Sequence, residues 1–267
     1  HEPLTQAALR GPVVGLYVYE PTVLKSPYTD GCHLDFINQC LDELRDALAR
    51  RGCPLLLRVG ECTEVLEDVH RRHGIHTLWS HEETGLEVTY ARDRQVGAWC
   101  RAQGIAWREL PQYGVVRRLK DRDGWARRWD RRMSEPLLSA PARMSTASAL
   151  EDLSAVGASH PLRSAASLGL SGGGRPQAAR GGETVAQQVL ASFLHERGLN
   201  YRREMSSPVT GFEACSRISP YLAWGAISLR TVHQACERRR GALKAARAAG
   251  EAVDGRWAGS FHPETGG

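Results

Sequence analysis

The sequence predicts an α/β domain with a doubly wound, mostly parallel sheet, followed by a helical segment. In roughly the first 110 residues, short apolar strands alternate with amphipathic helices, which is typical of right-handed crossovers between parallel strands. The first strand is apolar almost throughout, as expected of a strand that is covered on both faces. A stretch rich in Ala, Ser, Gly and Pro then separates this region from the helical segment.

Apolar spacing and glycine stops define the elements of the first region. Residues 12–20 form the first predicted strand, which ends at Pro21. Leucine and isoleucine then recur every three or four positions until Gly52, which predicts an amphipathic helix over 34–48. The remaining predicted elements are strands at 55–57, 76–80 and 105–110, and helices at 64–72 and 88–103.

Composition excludes several protein classes. The chain has 267 residues, 42% of them hydrophobic, with 35 Lys and Arg against 30 Asp and Glu, so neither a disordered chain nor a collagen-like repeat is expected. No apolar run approaches the ~20 residues of a membrane helix, and no signal peptide is evident, so we predict a cytoplasmic location. Seven scattered cysteines without a CxxC pair predict reduced thiols.

The predicted domain organisation has three parts. Residues 1–133 form the α/β domain, residues 134–182 a linker, and residues 183–267 the start of a helical domain that the sequence truncates. In the linker, Ala, Ser, Gly and Pro supply thirty of forty-nine positions, which predicts a chain that runs over the surface without packing. One or two helical turns are expected within 147–156.

A basic strip with two tryptophans lies before the linker. Between positions 117 and 132, eight Arg and Lys residues stand against three Asp, and Trp125 and Trp129 share one helical face. In one interpretation the arginines follow a phosphate backbone. In the other, the helix docks through its two tryptophans and its basic face is solvated. The candidate DNA-binding residues are Arg127, Arg128, Arg131 and Arg132.

Two further features have competing interpretations. Ligands of open α/β sheets bind beyond the carboxyl ends of the strands, which points to Glu20 and to the loop at 81–85, although both sites are equally explained as solvated loops. His70, His73 and His76 have a spacing that suggests zinc. Because Gly74 is expected to end the helix between them, we favour solvated or capping histidines and expect no metal site.

The sequence from 215 to 228 contains the most specific pattern. Ser219 before Pro220 predicts a helix start in which the serine hydroxyl caps the helix, and Ser228 can begin the next helix. Small hydroxyl and thiol residues ahead of a helix leave backbone N–H groups free to hold a phosphate. The alternative is an ordinary capped helix.

The segment 216–225 (SRISPYLAWG), with Ile227-Ser228 after it, resembles the start of the flavin-binding helical domain of the DNA photolyase/cryptochrome family. Gly181-Gly182-Glu183, Phe193-Leu194 and Tyr201 fit the same pattern. In the first region, Tyr90-Ala91-Arg92-Asp93 resembles the Arg-Asp helix of the family's α/β antenna domain, and 11–20 resembles its second strand.

The resemblance implies an FAD-dependent protein that repairs pyrimidine dimers in damaged DNA under blue light, through an electron from reduced flavin. Such an enzyme is a carbon–carbon lyase. It implies that Tyr201, Cys215, Ser216, Ile218 and Ser219 surround the cofactor diphosphate, and that Arg217 braces the fold through an internal ion pair. The alternative within the family is a cryptochrome-like blue-light photoreceptor without repair activity. Outside the family, an α/β domain with a non-specific nucleic-acid strip remains an alternative.

Departures from the family pattern lead to further expectations. Only the trailing edge of the family's first strand matches, at residues 1–4, so we expect a central strand to be missing and ladder groups beside the gap to be unpaired. The family's flavin domain continues for ~200 residues beyond the motif, about one further domain. We therefore expect an inactive or impaired fragment whose helical part is partly exposed, with catalytic residues unknown and Trp257 unassigned.

Three expectations concern partners. Val88 and Thr89 stand where some members carry a folate-contacting Asn-Glu pair, so a second antenna chromophore, if bound, is of unknown identity. The partner is damaged DNA, with no membrane association. The full-length protein is expected to be a monomer.

Overall fold

A computed structural model describes residues 1–146 and 161–257 of the chain, so the helical turns expected within 147–156 lie outside the described residues. Contacts divide the chain into two units. The first comprises residues 1–121 and 138–180, and the second comprises residues 122–137 and those from 181 onward. The domain bounds at 133 and 182 stay a prediction. No helix within the described ranges is long and apolar enough to cross a bilayer.

The first unit has the predicted alternation of strands and helices, extended by a helix at the start. Its elements are α1 (Glu2–Ala8), β1 (Gly15–Tyr19), α2 (Pro21–Leu24), α3 (Gly31–Ala49), β2 (Leu55–Val59), α4 (Cys62–His73), β3 (Thr77–His81), α5 (Glu87–Ala102) and β4 (Ala106–Leu110). Residues 1–4, which resemble the trailing edge of the family's first strand, instead begin α1, where the ring nitrogen of His1 accepts a hydrogen bond from the N–H of Leu4.

The strands form two separate parallel pairs. β1 pairs with β2, with Gly15 opposite Leu55, and β3 pairs with β4, with Thr77 opposite Ala106. Among the described residues no ladder joins the two pairs. The consequence is visible in β1, whose apolar residues from 15 to 18 are only half-buried although their sequence suits a strand covered on both faces.

Two apolar clusters support the strand pairs. In the first, α3 packs the leucine and isoleucine face predicted from the sequence against β1 and β2, and its buried members include Leu34, Leu41 and Leu57. The second cluster contains Leu66 of α4 and Val96 and Cys100 of α5. Residues from both strand pairs, Leu16 of β1 and Leu78 of β3, pack against this second cluster. Both pairs thus contribute to one apolar cluster although no ladder between them is present in the described ranges.

Arg92 of α5 joins the carboxyl ends of the two strand pairs. Its guanidinium lies 2.6 Å from Oε1 of Glu20, the residue after β1, and 3.6 Å from Oε2 of Glu83, which follows β3. Its Nε lies 2.6 Å from Oδ1 of Asp93. All four side chains are at least about three-quarters buried. The ion pairs of Arg92 thus connect the two strand pairs, which no backbone ladder joins within the described residues.

Burial controls the protonation of this cluster. Desolvation raises the pKa of Glu20 and of Asp93, and Arg92 opposes both shifts. The second oxygen of Glu20, Oε2, is buried and has no hydrogen-bond partner among the described residues. Burial, followed by the charge of Glu20, also raises the pKa of the Cys62 thiol to about 12, so Cys62 is a neutral thiol.

The described linker residues within 138–180 belong to the first unit and several of them pack on it, so the expectation of an unpacked surface path is wrong there. Met144 and Ala165 are buried in the first apolar cluster. Residues 171–175, here called the strap, lie across the start of α3: the N–H of Gly31 donates to the carbonyl of Ser171 at 2.7 Å, and Arg175 pairs with Asp30 at 2.9 Å.

The second unit is helical. Its elements are α6 (Trp125–Ser134), α7 (Glu183–His195), a 3-10 turn (Arg197–Asn200), α8 (Tyr201–Glu204), α9 (Gly211–Ala214), α10 (Ser219–Ala223) and α11 (Leu229–Ala248). No residue of the 20-residue helix α11 is fully buried. Val209 is 83% exposed and Phe212 51% exposed, so this unit leaves much apolar surface in water.

Replacing Gly31 with Ala is expected to release the strap. A Cβ at Gly31 would lie 2.5 Å from the backbone N of Gly173 and 2.5 Å from the carbonyl O of Ser171, so backbone must move. We expect a loss of roughly 1–3 kcal/mol in the free energy of unfolding, as for other overpacked sites, and faster amide hydrogen exchange in the strap. The matched control is Gly241→Ala in α11, where nothing lies near the new Cβ and helix propensity should give a gain of about 0.5–1 kcal/mol. Unchanged exchange in Gly31→Ala would contradict the packing described.

Replacing Arg92 with Ala is expected to destabilise the first unit in a pH-dependent way. The change leaves Glu20 and Asp93 buried without their cation, which typically costs about 3–5 kcal/mol. Since both carboxyls then have folded-state pKa values even further above their unfolded values, the folded state takes up protons as the pH falls, and the variant should regain stability between about pH 8 and pH 5.

The measurement is urea unfolding of wild type and variant at both pH values. Arg94→Ala is the control, because Arg94 pairs with Glu87 on the surface, with 59% and 79% of the two side chains exposed, and surface pairs contribute about 0–1 kcal/mol. An Arg92 variant that loses no more than this control would refute the bridging role.

Candidate functional site

Residues 215–219, here called the loop, turn sharply between α9 and α10. Cys215 is extended, Arg217 has a φ of +55°, and Ile218 returns to the right-handed region with φ −83° and ψ −13°. Consecutive residues of opposite handedness bring neighbouring backbone N–H groups toward one concavity, an arrangement that binds anions. The loop therefore has the local geometry that the sequence pattern suggested.

Four N–H groups of the loop are available to a ligand. The N–H of Cys215 donates to the carbonyl of Gly211 at 2.9 Å. Those of Ser216, Arg217, Ile218 and Ser219 donate to no acceptor within the described ranges. Ile218 is buried and anchors the loop, whereas Ser219 is exposed. Amide groups left without acceptors at a chain reversal are suited to an anionic ligand.

Arg197 holds the opposite side of the loop. Its guanidinium donates to the carbonyl oxygens of Cys215 at 2.5 Å, Ser216 at 3.3 Å and Val189 at 3.1 Å. Because C=O and N–H point in opposite directions in a trans peptide, carbonyls turned toward Arg197 leave the next N–H groups turned away from it. Burial, and then the charge of Arg217, lowers the pKa of Arg197.

Two predicted details of the loop are wrong. Ser219 is the first residue of α10 and not its cap, since Ile218 holds the cap position and no side chain caps this helix. Arg217 was expected to form an internal ion pair. Instead, its guanidinium lies over the ring of Phe212, 3.4 Å from the centroid, and it has no carboxylate partner in the described part of the chain. Ser228, by contrast, caps α11 as expected by accepting from the N–H of Thr231 at 3.0 Å.

Tyr201 is connected to the loop indirectly, through the residues that follow it. It begins α8 and its ring packs edge-on against Phe193, with the centroids 5.7 Å apart. Met205, one turn later, accepts a contact from the thiol of Cys215 at 3.8 Å. The structure thus links the loop to the helix that Tyr201 starts, and a cofactor role for Tyr201 stays a prediction.

The basic helix α6 docks on α11 with one predicted tryptophan. The ring of Trp129 lies edge-on to His233 at 5.0 Å, and Met133, four residues later, is fully buried. Gln234 donates to the carbonyl of Met133 at 2.8 Å. Trp125 is 39% exposed. Three of the candidate DNA-binding residues are exposed and the fourth is half-buried: Arg127, Arg128 and Arg131, then Arg132.

The strand-end loops and the histidines have structural roles. Glu20 and Glu83 bind Arg92, as described above, and Glu82 lies 3.3 Å from Arg117. His70 accepts a hydrogen bond from the N–H of Ile75 at 2.9 Å, which supports the capping interpretation. In the described ranges no three His, Cys, Asp or Glu residues are placed to hold a metal ion.

Sequence reasoning missed Arg197 and Phe212. An arginine directly after a helix is ordinarily explained by the negative end of the helix dipole, so nothing local distinguishes Arg197 from a solvated residue. Its function depends on the return of the chain about eighteen residues later. Phe212 carries no periodic signal because α9 has only four residues.

Known proteins resemble the chain in sequence and in fold. The family model of DNA photolyase matches residues 1–118. A deoxyribodipyrimidine photo-lyase of Halobacterium salinarum is 28% identical over 241 residues, which cover 85% of this chain and 47% of that protein. A cryptochrome structure from Synechocystis has a TM-score of 0.67 at 19% identity, covering 90% of this chain and 53% of the other.

An archaeal photolyase structure from Sulfolobus tokodaii, described as containing two FAD molecules, has a TM-score of 0.65 at 18% identity and covers 88% of this chain and 51% of that one. The chain therefore spans about half the length of these relatives. At these identities the structural matches establish the fold. The chain is thus similar in sequence to DNA photolyases, through the family model over residues 1–118 and the halobacterial relative, and similar in fold to photolyase and cryptochrome structures.

Proposed function

We propose that this chain contributes to FAD-dependent, blue-light-driven repair of pyrimidine dimers in DNA. The observation that carries the proposal is the loop: four N–H groups have no acceptor among the described residues, and the carbonyls of Cys215 and Ser216 bind Arg197 on the other side. Such a loop suits a diphosphate, which offers several acceptor oxygens and two negative charges.

Each candidate residue has a defined task in the proposal. Ser216 and Ile218 donate backbone N–H groups to the diphosphate, and Ser219 adds an exposed hydroxyl that no cap interaction occupies. Cys215 begins the loop and contacts Met205, which lies one turn after Tyr201. Bound reduced FAD would supply a light-driven electron to the dimer, while the protein orients the cofactor and sets its electrostatic surroundings.

The descriptions of two similar proteins support the proposed function. The halobacterial relative is a photo-lyase, and the Sulfolobus structure is described as implying a novel light-harvesting cofactor. We accordingly propose that the first unit is the antenna part of the protein, with a second chromophore of unknown identity. The proposed DNA contacts are Arg127, Arg128, Arg131 and Arg132, which are mostly exposed on α6. The likeness to a cryptochrome keeps a photoreceptor without repair activity as the alternative.

Ser219→Asp is expected to abolish retention of FAD without harming the fold. An Asp at the start of α10 is compatible with the helix dipole, but its carboxylate would face the diphosphate. Repulsion between like charges in a binding site costs several kcal/mol, so we expect the dissociation constant to rise about 100-fold. Quenching of FAD fluorescence on titration with the protein measures it.

Ser228→Asp is the matched control for that experiment. It introduces the same charge at the start of α11, where Asp caps as well as Ser, and should leave both folding and FAD affinity unchanged. If wild-type protein does not retain FAD, or if both variants bind equally well, the cofactor proposal fails. Light-dependent loss of dimers from an irradiated oligonucleotide, absent in the dark, then separates repair from the photoreceptor alternative.

A further inference from the structure

Helices α6 and α11 form a second candidate site, distinct from the flavin loop. Their contacts run in opposite directions along the chain: Trp129 lies against His233, and Glu135 pairs with Arg230 at 2.7 Å. The two helices are therefore antiparallel, and the start of α6, with Trp125, lies beside the middle of α11. The rest of α11 continues beyond it.

Free positive charge is concentrated on these two helices. Arg127, Arg128 and Arg131 on α6 and Arg238, Lys244 and Arg247 on α11 make no ion pair in the described part of the chain. Other cations of α11 are engaged, since Arg230 pairs with Glu135 and Arg240 with Glu237. Because unpaired surface arginine and lysine are solvated, they are available to displace the counterions of a polyanion.

Trp125 adds an exposed aromatic ring to this basic surface. It is 39% exposed at the first position of α6, and its ring is tilted by 34° against Trp129 at a centroid distance of 6.4 Å, a loose contact. Arg128 follows three residues later, on the adjoining part of the helix. An exposed aromatic ring beside cations is the arrangement on which an unpaired base stacks while its phosphates are neutralised.

The spacing along α11 fits a short stretch of a nucleic-acid strand. Lys244 and Arg247 are one turn apart on one face and lie beyond the start of α6. At 1.5 Å per residue, they extend the basic surface by roughly 10–15 Å past the middle of the helix, a distance covered by several phosphates.

We propose that Trp125, Arg128, Lys244 and Arg247 form a docking surface for single-stranded nucleic acid, which acts without light or flavin. The inference rests on the proposed DNA-binding role of α6 and deepens it, because it names the strand state and adds the aromatic and α11 contacts. Trp125 stacks on a base, and the three cations contact phosphates. A duplex, whose bases are already stacked, leaves Trp125 unused.

The test is fluorescence anisotropy with a labelled thymidine oligonucleotide of about sixteen nucleotides, in the dark. Trp125→Ala is expected to weaken binding about 5- to 100-fold, and Trp125→Phe to restore most of it. Arg128→Ala should weaken binding and reduce the slope of log affinity against log salt by about 0.7. A duplex of the same length should bind more weakly than the single strand and be insensitive to Trp125→Ala.

Two controls keep this proposal separate from the flavin proposal. Trp224→Ala removes another exposed tryptophan, which directly follows α10 and is 49% exposed, and should leave oligonucleotide affinity within about twofold of wild type. Ser219→Asp, which is expected to lose FAD, should bind the oligonucleotide normally. Wild-type affinity in Trp125→Ala, or equal binding of duplex and single strand, would overturn the inference, and loss of helical circular dichroism identifies a variant that is merely unfolded.

Discussion

The charge cluster around Arg92 is the interaction on which the first unit depends. In the part of the chain that the structure describes, no ladder joins the two strand pairs, so the backbone there does not fix their relative position as it does in a continuous sheet. Arg92 reaches the residues that follow β1 and β3 and thereby connects the pairs at their carboxyl ends. This connection depends on the charge of Arg92, because the buried carboxylates of Glu20 and Asp93, whose pKa values are raised, are stable in the ionised form only beside their cation.

Most elements of this unit could be predicted because their signals are local. The apolar spacing and glycine stop of α3 gave its position within three residues, and the strands at 55–59 and 106–110 follow from short apolar runs. Interactions across long sequence separations were not predictable. The strap on α3 is an example, since nothing in a Gly-rich sequence indicates that Gly31 and Ser171 will meet.

The loop shows the same division between local and distant information. Ser219-Pro220 correctly indicated a helix start, with an error of one position in the cap. The arrangement of its amides, however, depends on Arg197, which donates five hydrogen bonds to neighbouring chain segments. These hydrogen bonds have no sequence signature. Arg217 is held in a left-handed conformation that costs a non-glycine residue about 1–2 kcal/mol, and the contact with Phe212 helps to offset that strain.

The separated strand pairs also have a kinetic consequence. Within the described residues each pair has only two strands, so each has strand edges that an extended polypeptide can recognise regardless of its side chains. Competition for such an edge is decided by local concentration. A segment tethered to the same molecule acts at an effective concentration of about millimolar, so it would bind the edge before a dilute free chain does. During synthesis, the main competitors for the edge are other copies of the protein.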